Sequence, residues 1–248
     1  MWQQTAPSVE EAKGQAMPLP PLKHVTRPAA VSSALGSRVP GYALKRPLEG
    51  ALAAVALLVL FPVCLVVALL VWLEDRGPVF VHQVRVGYRG VPFRVIKFRT
   101  MRAEGPSGVH RQATAQDNRI TRVGRVLRAM ALDEIPQILN VIRGEMSFVG
   151  PRALLPQEIE VDPRSHYRHI EDVPNYYVRI SVLPGLTGLA QVYAPRDISR
   201  QKKFKYDALY VRKMNLGLDL RLILVSIFVS LTGRWPRRGR PIWQRRTG

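Results

Sequence analysis

The amino-acid sequence predicts a membrane-associated α+β protein with a re-entrant N-terminal membrane helix, a small β-hairpin and several amphipathic interfacial helices. Three observations predict this fold class. Residues 51–73 form an uncharged apolar run that is long enough to cross a bilayer. Two strand-like segments joined by a glycine-containing turn follow it. Further along, apolar residues recur at helical spacing between polar loops.

Composition divides the 248-residue chain into four segments. Residues 1–44 are rich in Pro, Ala and Ser and have no periodicity, which predicts a disordered arm. Residues 45–75 are the predicted membrane anchor, and residues 76–233 the predicted cytoplasmic catalytic domain. Residues 234–248 form a basic tail with Arg and Trp. Solvated disorder and an interfacial lipid-binding segment remain alternatives for this tail.

The apolar run carries two signals that favour a re-entrant helix over a simple span. Pro62 lies near its middle, where proline removes a helical hydrogen bond and bends the helix. Basic residues flank the run on both sides, with Lys45 and Arg46 before it and Arg76 after it. Because positive charge marks the cytoplasmic flank, we expect both ends to lie on the cytoplasmic side. A spanning helix and a buried soluble helix are the alternatives.

The strong basic character predicts an anionic partner. Lys and Arg total 37 against 18 for Asp and Glu, which gives a formal net charge of +19. Nucleic acid, acidic lipids and phosphorylated substrates all suit that charge. The anchor favours lipid and phosphate, and the sequence has no pattern typical of a recognition helix. The single cysteine, Cys64, excludes an intramolecular disulfide and a cysteine-based metal site.

Several segments of the predicted catalytic domain have recognisable periodicity. Residues 78–86 and 92–101 are rich in β-branched residues and enclose the turn at residues 87–90, which predicts the hairpin. Helical spacing of apolar residues is found at 121–130, 132–142 and 216–233. The uncharged part of segment 216–233 is too short to cross a bilayer. We therefore expect this segment to pack inside the domain or to lie in the membrane plane.

The sharpest local motif is Leu-Asp-Glu-Ile-Pro-Gln at residues 132–137. Since proline is tolerated in the first turn of a helix, we expect Asp133 or a neighbour to be the N-cap. A structural interpretation makes Asp133 a capping residue and matches Glu134 to the helix dipole. A functional interpretation makes Asp133 an ionised nucleophile and Glu134 a Mg²⁺ ligand. The spacing of these residues leaves both interpretations open.

Basic residues near turns add the features of a phosphate-binding site. Lys97 and Arg99 are two positions apart in the second predicted strand, and Arg128 precedes the acidic pair by five residues. Pro151 and Arg152 end a glycine-proline turn, and Arg196 follows a later glycine-rich turn. One basic residue is more often a solvated surface charge. Several of them near carboxylates suit guanidinium contacts with a phosphate.

These motifs together resemble the bacterial sugar transferases, also called monotopic phosphoglycosyl transferases, over about residues 45–233. The resemblance rests on five motifs in a fixed order. They are Lys-Arg at 45–46, Lys-Phe-Arg-Thr-Met at 97–101, Leu-Asp-Glu-Ile-Pro-Gln at 132–137, Ser-Phe-Val-Gly-Pro-Arg at 147–152 and Pro-Gly-Leu-Thr-Gly-Leu-Ala-Gln-Val at 184–192.

The resemblance implies transfer of a sugar-1-phosphate from a UDP-sugar to undecaprenyl phosphate, with release of UMP. It implies a covalent phosphosugar on Asp133 and a Mg²⁺ ion held by Glu134. Basic positions near the nucleotide fall on Arg128, Arg152 and Arg196, and a further polar position falls on Asp219.

The same resemblance implies an anchor helix broken at Pro62, in a bacterial inner membrane with the catalytic domain facing the cytoplasm. The expected partners are therefore a UDP-sugar, undecaprenyl phosphate and membrane lipids, without nucleic acid. A homodimer remains open. Direct sugar transfer with release of UDP and a non-catalytic membrane scaffold are the alternative functions.

Overall fold

The computed structural model describes residues 41–42, 44–102, 117–156, 170–195 and 198–232. Most of the predicted disordered arm and all of the basic tail lie outside these ranges. The main helices are α1 Lys45–Asp75, α2 Arg122–Ala129, α3 Ile138–Ile142, α4 Tyr176–Arg179, α5 Leu189–Tyr193, α6 Arg200–Lys213 and α7 Leu216–Thr232. The strands are β1 Phe80–Val86, β2 Pro92–Phe98, β3 Ser147–Val149 and β4 Gly185–Thr187. Short 3₁₀ helices cover Tyr88–Gly90, Leu132–Gln137 and Ile170–Asp172.

The predicted hairpin is confirmed. β1 and β2 pair antiparallel, with Phe80 opposite Phe98 and Val86 opposite Pro92. Strand β2 is buried on both faces, since Val95 packs against α1 and α3 while Phe98 packs against the far end of α1 and against α2. Strand β2 therefore lies in the core, whereas β1 is largely exposed.

A second pair of strands was not predicted from the sequence. β3 and β4 pair in parallel, with Ser147 opposite Gly185 and Val149 opposite Thr187. The backbones meet so closely after β3 that a Cβ atom on Gly185 would lie 2.1 Å from the Gly150 nitrogen. Glycine is required at this contact for lack of space. The pairing brings the two predicted glycine turns together.

Helix α1 is long and apolar enough to cross a membrane. At about 1.5 Å per residue its 31 residues extend roughly 46 Å. The helix continues through Pro62 without interruption, so a break at this proline stays a prediction. Both ends of α1 nevertheless contact the same domain. Ala53 packs with Phe93 and Ile138, whereas Val67 packs with Phe98.

No residue of α1 between Ala53 and Val67 is buried. The stretch around Pro62 therefore presents large apolar side chains away from the domain, including Leu58 and Phe61. An apolar surface of this kind needs a non-aqueous neighbour. The arrangement supports membrane association and places the two ends of α1 beside one domain.

Helix α7 carries apolar side chains on both its buried and its exposed face, so the amphipathic character that the sequence predicts is not found. Leu222 and Val229 are buried against the domain, and Leu222 belongs to the cluster that contains Val149 and Tyr210. On the opposite face, Leu220, Leu224 and Phe228 are exposed. The helix therefore packs on the domain along one face and leaves an apolar face outward.

Candidate active site

The adjacent carboxylates Asp133 and Glu134 lie in the first turn of the 3₁₀ helix Leu132–Gln137. The expected N-cap role of Asp133 is wrong. Ala131 precedes the helix in a left-handed conformation, with φ of 55°, and no side chain caps the helix start. Pro136 is accommodated because the tight 3₁₀ turn ends there and α3 begins at Ile138. The sharp change of direction at Ala131 presents both carboxylates beside strand β2.

Glu134 is the centre of an ion-pair cluster. Its Oε1 atom accepts from Lys97 Nζ at 3.0 Å and from Arg152 Nη2 at 3.2 Å. Lys97 comes from β2, whereas Arg152 follows β3. Burial raises the pKa of Glu134, but the charges of Arg152 and Lys97 outweigh burial and hold it at about 2. Glu134 is therefore ionised at neutral pH.

Asp133 has the opposite shift. Burial and then the negative charge of Glu134 raise the pKa of Asp133 to about 6, against the weaker opposing influence of Lys97, Arg128 and Arg152. The sequence interpretation held that a helix start keeps this carboxylate ionised; with a pKa of about 6, Asp133 is still mostly ionised at neutral pH, although it binds a proton more readily than an ordinary aspartate. Two neighbouring carboxylates with pKa values displaced in opposite directions are typical of groups with different chemical roles.

A buried ion pair between Arg179 and Asp207 fixes the backbone at Arg152. Arg179 Nη2 donates to the carbonyl oxygen of Arg152, and Arg179 Nε donates to Asp207 Oδ2 at 3.0 Å. Pro151 contributes its carbonyl oxygen, which accepts from the Gly185 nitrogen at 3.0 Å. The guanidinium of Arg152 stays half exposed, at 50%. The segment is therefore fixed through its backbone, and its charged group faces the open side.

The structure brings some predicted site residues together and places others elsewhere. Arg128 Nε donates to Thr100 Oγ1 at 2.9 Å, and its charge acts on Asp133. Arg99 is buried against Asp75 at the end of α1, so it does not join Lys97 at Glu134. Arg196 lies outside the described residues.

Asp219 lies in a second, buried cluster, which we call the Lys45 cluster. Its members are Tyr42, Lys45, Glu49, Ser147, Tyr210 and Asp219. Lys45 Nζ donates to Asp219 Oδ2 and lies 3.2 Å from Glu49 Oε1. Lys45, one of the basic residues expected to mark the cytoplasmic flank of the apolar run, is only 7% exposed.

The Lys45 cluster ties α1 to strand β3. Glu49 accepts from the Ser147 hydroxyl and from the Phe148 nitrogen. Tyr210 donates to the Val149 carbonyl oxygen at 2.8 Å. The start of the anchor is therefore bonded to the strand that leads to Arg152. The i, i+4 spacing of Lys45 and Glu49 is the sequence signal that indicates half of this cluster.

A small, partly open pocket lies beside Glu134. Its lining residues are Arg85, Val95, Lys97, Glu134, Gln137, Met146, Arg152, Ala153 and Gly185. Arg85 and Gln137 were not predicted as site residues. Arg85 donates to the carbonyl oxygen of Ala153 at 3.2 Å, which holds it at the pocket. Arg85 lies in strand β1, and nothing in the residue pattern of that strand indicates a role at the site.

The expected Mg²⁺ ion fits the donor set at the dyad. Within the described ranges, no three residues of the types His, Cys, Asp or Glu form a group. Mg²⁺ commonly binds one or two carboxylates and takes its other ligands from substrate phosphates and water. Asp133 and Glu134 supply that hard-oxygen pair. The second oxygen of Glu134 is available, since the contacts with Lys97 and Arg152 use Oε1.

Sequence comparison identifies the family. Residues 41–233 match the bacterial sugar transferase family. The chain belongs to this family. The match covers the anchor helix, the hairpin, the acidic dyad and the strands that carry Arg152 and Gly185, so every element of the candidate site lies inside the family domain.

The bacterial sugar transferase is similar to named relatives in several bacteria. It is 40% identical over 196 residues to the UDP-glucose:undecaprenyl-phosphate glucose-1-phosphate transferase of Caulobacter vibrioides, covering 76% of this chain and 70% of the relative. A Xanthomonas campestris protein with the same name is 42% identical over 71% of this chain, but the match spans only 36% of that longer relative.

A third relative has a different sugar in its name. The UDP-N-acetylgalactosamine-undecaprenyl-phosphate N-acetylgalactosaminephosphotransferase of Aeromonas hydrophila is 37% identical over 80% of this chain and 47% of its own length. Relatives of similar overall identity to this chain therefore carry different sugars in their names.

Proposed function

We propose that this bacterial sugar transferase moves a sugar-1-phosphate from a UDP-sugar to undecaprenyl phosphate and releases UMP. The observation that carries the proposal is the Asp133–Glu134 pair, held beside Lys97 and Arg152 at a small pocket. Cations next to a carboxylate nucleophile bind a diphosphate and stabilise the charge that develops on it. The names of the relatives supply the donor and acceptor classes.

The reaction proceeds in two displacements at one phosphorus atom. An Asp133 carboxylate oxygen attacks the β-phosphorus of the UDP-sugar, the bond from that phosphorus to the bridging oxygen breaks, and UMP leaves. An oxygen of undecaprenyl phosphate then attacks the same phosphorus and expels Asp133. The products are undecaprenyl diphosphosugar and the regenerated carboxylate.

The neighbouring residues have separate roles in this scheme. Glu134 is the residue that would hold Mg²⁺. A bound Mg²⁺ ion neutralises part of the negative charge of the diphosphate. Lys97 and Arg152 orient the phosphates, and Arg128 lies where its charge favours ionised Asp133. The ionised form is the nucleophile, because a carboxylate oxygen donates an electron pair to phosphorus far more readily than a protonated carboxyl does.

The contacts of α1 support a membrane arrangement. Its two ends are fixed to one domain by the Lys45 cluster and by the Asp75–Arg99 pair. We propose that the helix enters the cytoplasmic leaflet of the inner membrane, bends at Pro62 and returns. The domain and Asp133 then stay on the cytoplasmic side, beside the phosphate of a lipid acceptor.

The activity is tested by supplying UDP-sugars, Mg²⁺ and undecaprenyl phosphate to the protein in detergent or nanodiscs. We expect release of UMP and, without the lipid acceptor, a labelled phosphosugar on the protein. Release of UDP would show direct sugar transfer instead. Absence of any nucleotide product across glucose, galactose and N-acetylated donors would favour the scaffold function.

The topology is tested with single cysteines in a Cys64→Ser background. Probes placed at Leu44 and at Arg76 should react with a membrane-impermeant maleimide from the same side, the cytoplasmic one. Labelling of the two positions from opposite sides would establish a spanning helix and overturn the re-entrant arrangement.

A further inference from the structure

Three exposed arginines lie around the C-terminal end of helix α1. Arg76 follows the helix directly, and its guanidinium carbon lies 4.2 Å from the centre of the Trp72 ring. Arg122 and Arg125 are three positions apart on helix α2, so they share one exposed face. We call these three residues the α1-end arginines. Among the residues that the structure describes, none of the three forms an ion pair with a carboxylate.

Helix α2 is fixed to the last turns of α1. Glu74 accepts from the backbone nitrogen of Arg122 at 2.6 Å and from that of Val123 at 3.2 Å. Leu127 of α2 packs in the same cluster as Val71 of α1. These contacts orient α2, so that the face with the two arginines points away from the domain. The carboxylate of Glu74 is already engaged by the start of α2 and does not neutralise their side chains.

Large apolar side chains are exposed beside the α1-end arginines. Trp72, Leu73 and Val126 are 41%, 48% and 58% exposed. They continue the apolar surface that α1 presents away from the domain. Arginine and tryptophan mixed with apolar side chains are typical of a segment at the membrane interface. A soluble anion would leave this apolar surface in water, whereas a phospholipid covers it.

The arginines of α2 divide into two groups. Arg128 is among the charges that act most strongly on Asp133, and it donates to Thr100 Oγ1. The side chains of Arg122 and Arg125 have no hydrogen bond to another residue of the described chain. The dyad therefore has its own cations, and these two arginines are available to a different anion.

We infer that the α1-end arginines bind the phosphate groups of anionic phospholipids where α1 meets the membrane surface, so that the protein prefers membranes that contain such lipids. The inference rests on the proposed membrane arrangement and not on the transferase chemistry. Arginine suits this contact because its planar guanidinium binds a phosphate through two hydrogen bonds. Each arginine near an anionic surface should raise the affinity about fivefold.

Electron spin resonance of spin-labelled lipids tests the preference. The full-length protein is reconstituted in phosphatidylcholine vesicles, and the immobilised fractions of spin-labelled phosphatidylglycerol and phosphatidylcholine are compared. The parent should prefer phosphatidylglycerol at least about twofold, since the arginines contact only part of the lipid shell. The double variant Arg122→Gln, Arg125→Gln should lose a large part of that preference. Salt at about 1 M should weaken the preference of the parent.

The double variant Lys202→Gln, Lys205→Gln is the matched control. Both lysines are exposed on α6, which packs on α4 and α5, and their removal changes the net charge by the same amount. This variant should keep the preference of the parent. Equal loss in the two double variants would mean that net charge alone attracts the lipid, and no loss in the arginine variant would remove the contact. Either result overturns the inference.

Kinetics in detergent without phospholipid separate bilayer lipids from the lipid acceptor. If the arginines bind bilayer lipids, the double arginine variant should keep the parent KM for undecaprenyl phosphate under these conditions. A raised KM would assign the two arginines to the acceptor and overturn the inference. If the parent itself releases no UMP, the transferase function fails, while the spin-label experiment still decides the lipid contact.

Discussion

Two clusters of charged side chains fix strand β3 and the segment after it, and they differ in charge balance and exposure. In the Lys45 cluster one cation faces two carboxylates, Glu49 and Asp219, and all three residues are buried. At the dyad Lys97 and Arg152 contact Glu134 and, with Arg128, act on Asp133, so three cations face two carboxylates beside a pocket. The first arrangement is closed by the fold, whereas the second has its excess positive charge directed to an open side.

This difference separates a structural role from a functional one. A sealed ion cluster has no surface for a ligand. A cluster with a surplus cation at a pocket attracts an anion, and the half-exposed guanidinium of Arg152 can move to meet it. Mutations in the two clusters should therefore change different measured quantities. Changes in the Lys45 cluster should affect stability, and changes at the dyad should affect rate.

The largest expected effect is on the rate of the Asp133→Asn variant. An amide cannot attack phosphorus as a carboxylate does, so UMP release should fall by about 10³-fold or more while the unfolding temperature changes little. Asp172→Asn, at an exposed position of the 3₁₀ helix Ile170–Asp172, is the matched control and should react as the parent does. Equal UMP release by the two variants would remove Asp133 as the nucleophile.

The second effect is on stability, in the Lys45→Met variant. Removing the cation leaves Glu49 and Asp219 buried without their countercharge, and breaking such a pair costs about 3–5 kcal/mol. Urea unfolding in detergent measures the change. Arg46→Met is the control, because Arg46 makes only an exposed contact with the Gly144 carbonyl oxygen at 3.3 Å. Unfolding of the two variants at the same urea concentration would contradict the structural role.

The sequence predicts the dyad cluster better than the Lys45 cluster for a physical reason. Asp133, Glu134, Lys97 and Arg152 lie in local motifs whose residue types already indicate phosphate chemistry. The partners Lys45 and Asp219 are 174 positions apart, and their meeting depends on how α7 packs beside α1. No local pattern contains that information.

The same reason applies to the fold. The hairpin and the helices at residues 121–130 and 216–233 follow from periodicity within one segment and are predicted correctly, whereas α6 was not predicted. The parallel pairing of β3 with β4 joins two three-residue strands that are separated by helices, so no local alternation indicates it. Gln137 belongs to a motif that the sequence identifies, but its burial at the pocket depends on Val95 and Met146 from other elements.

A third, smaller effect is expected for Arg152→Gln. Its backbone is held by Arg179, so the loop should keep its position, while the guanidinium that faces Glu134 is lost. We expect kcat/KM for UMP release to fall about 10- to 100-fold, in line with the loss of one charge-assisted phosphate contact. The unfolding temperature should change little, because a half-exposed ion pair contributes little stability. A large loss of stability with an unchanged rate would place Arg152 with the structural cluster.

The smallest effect is a displacement of the pKa of Asp133 in the protein without Mg²⁺. Burial and the negative charge of Glu134 raise this pKa to about 6, so Asp133 is protonated below that pH and ionised above it. Glu134→Gln removes the raising charge, and Lys97 and Arg152 then act on Asp133 alone, so the pKa should fall by about one unit or more. Carboxyl-carbon NMR of aspartate-labelled protein measures both midpoints, with Asp133→Asn used to assign the signal. An unchanged or higher midpoint in the Gln variant would mean that burial alone sets the pKa, and that the two carboxylates do not share one electrostatic site.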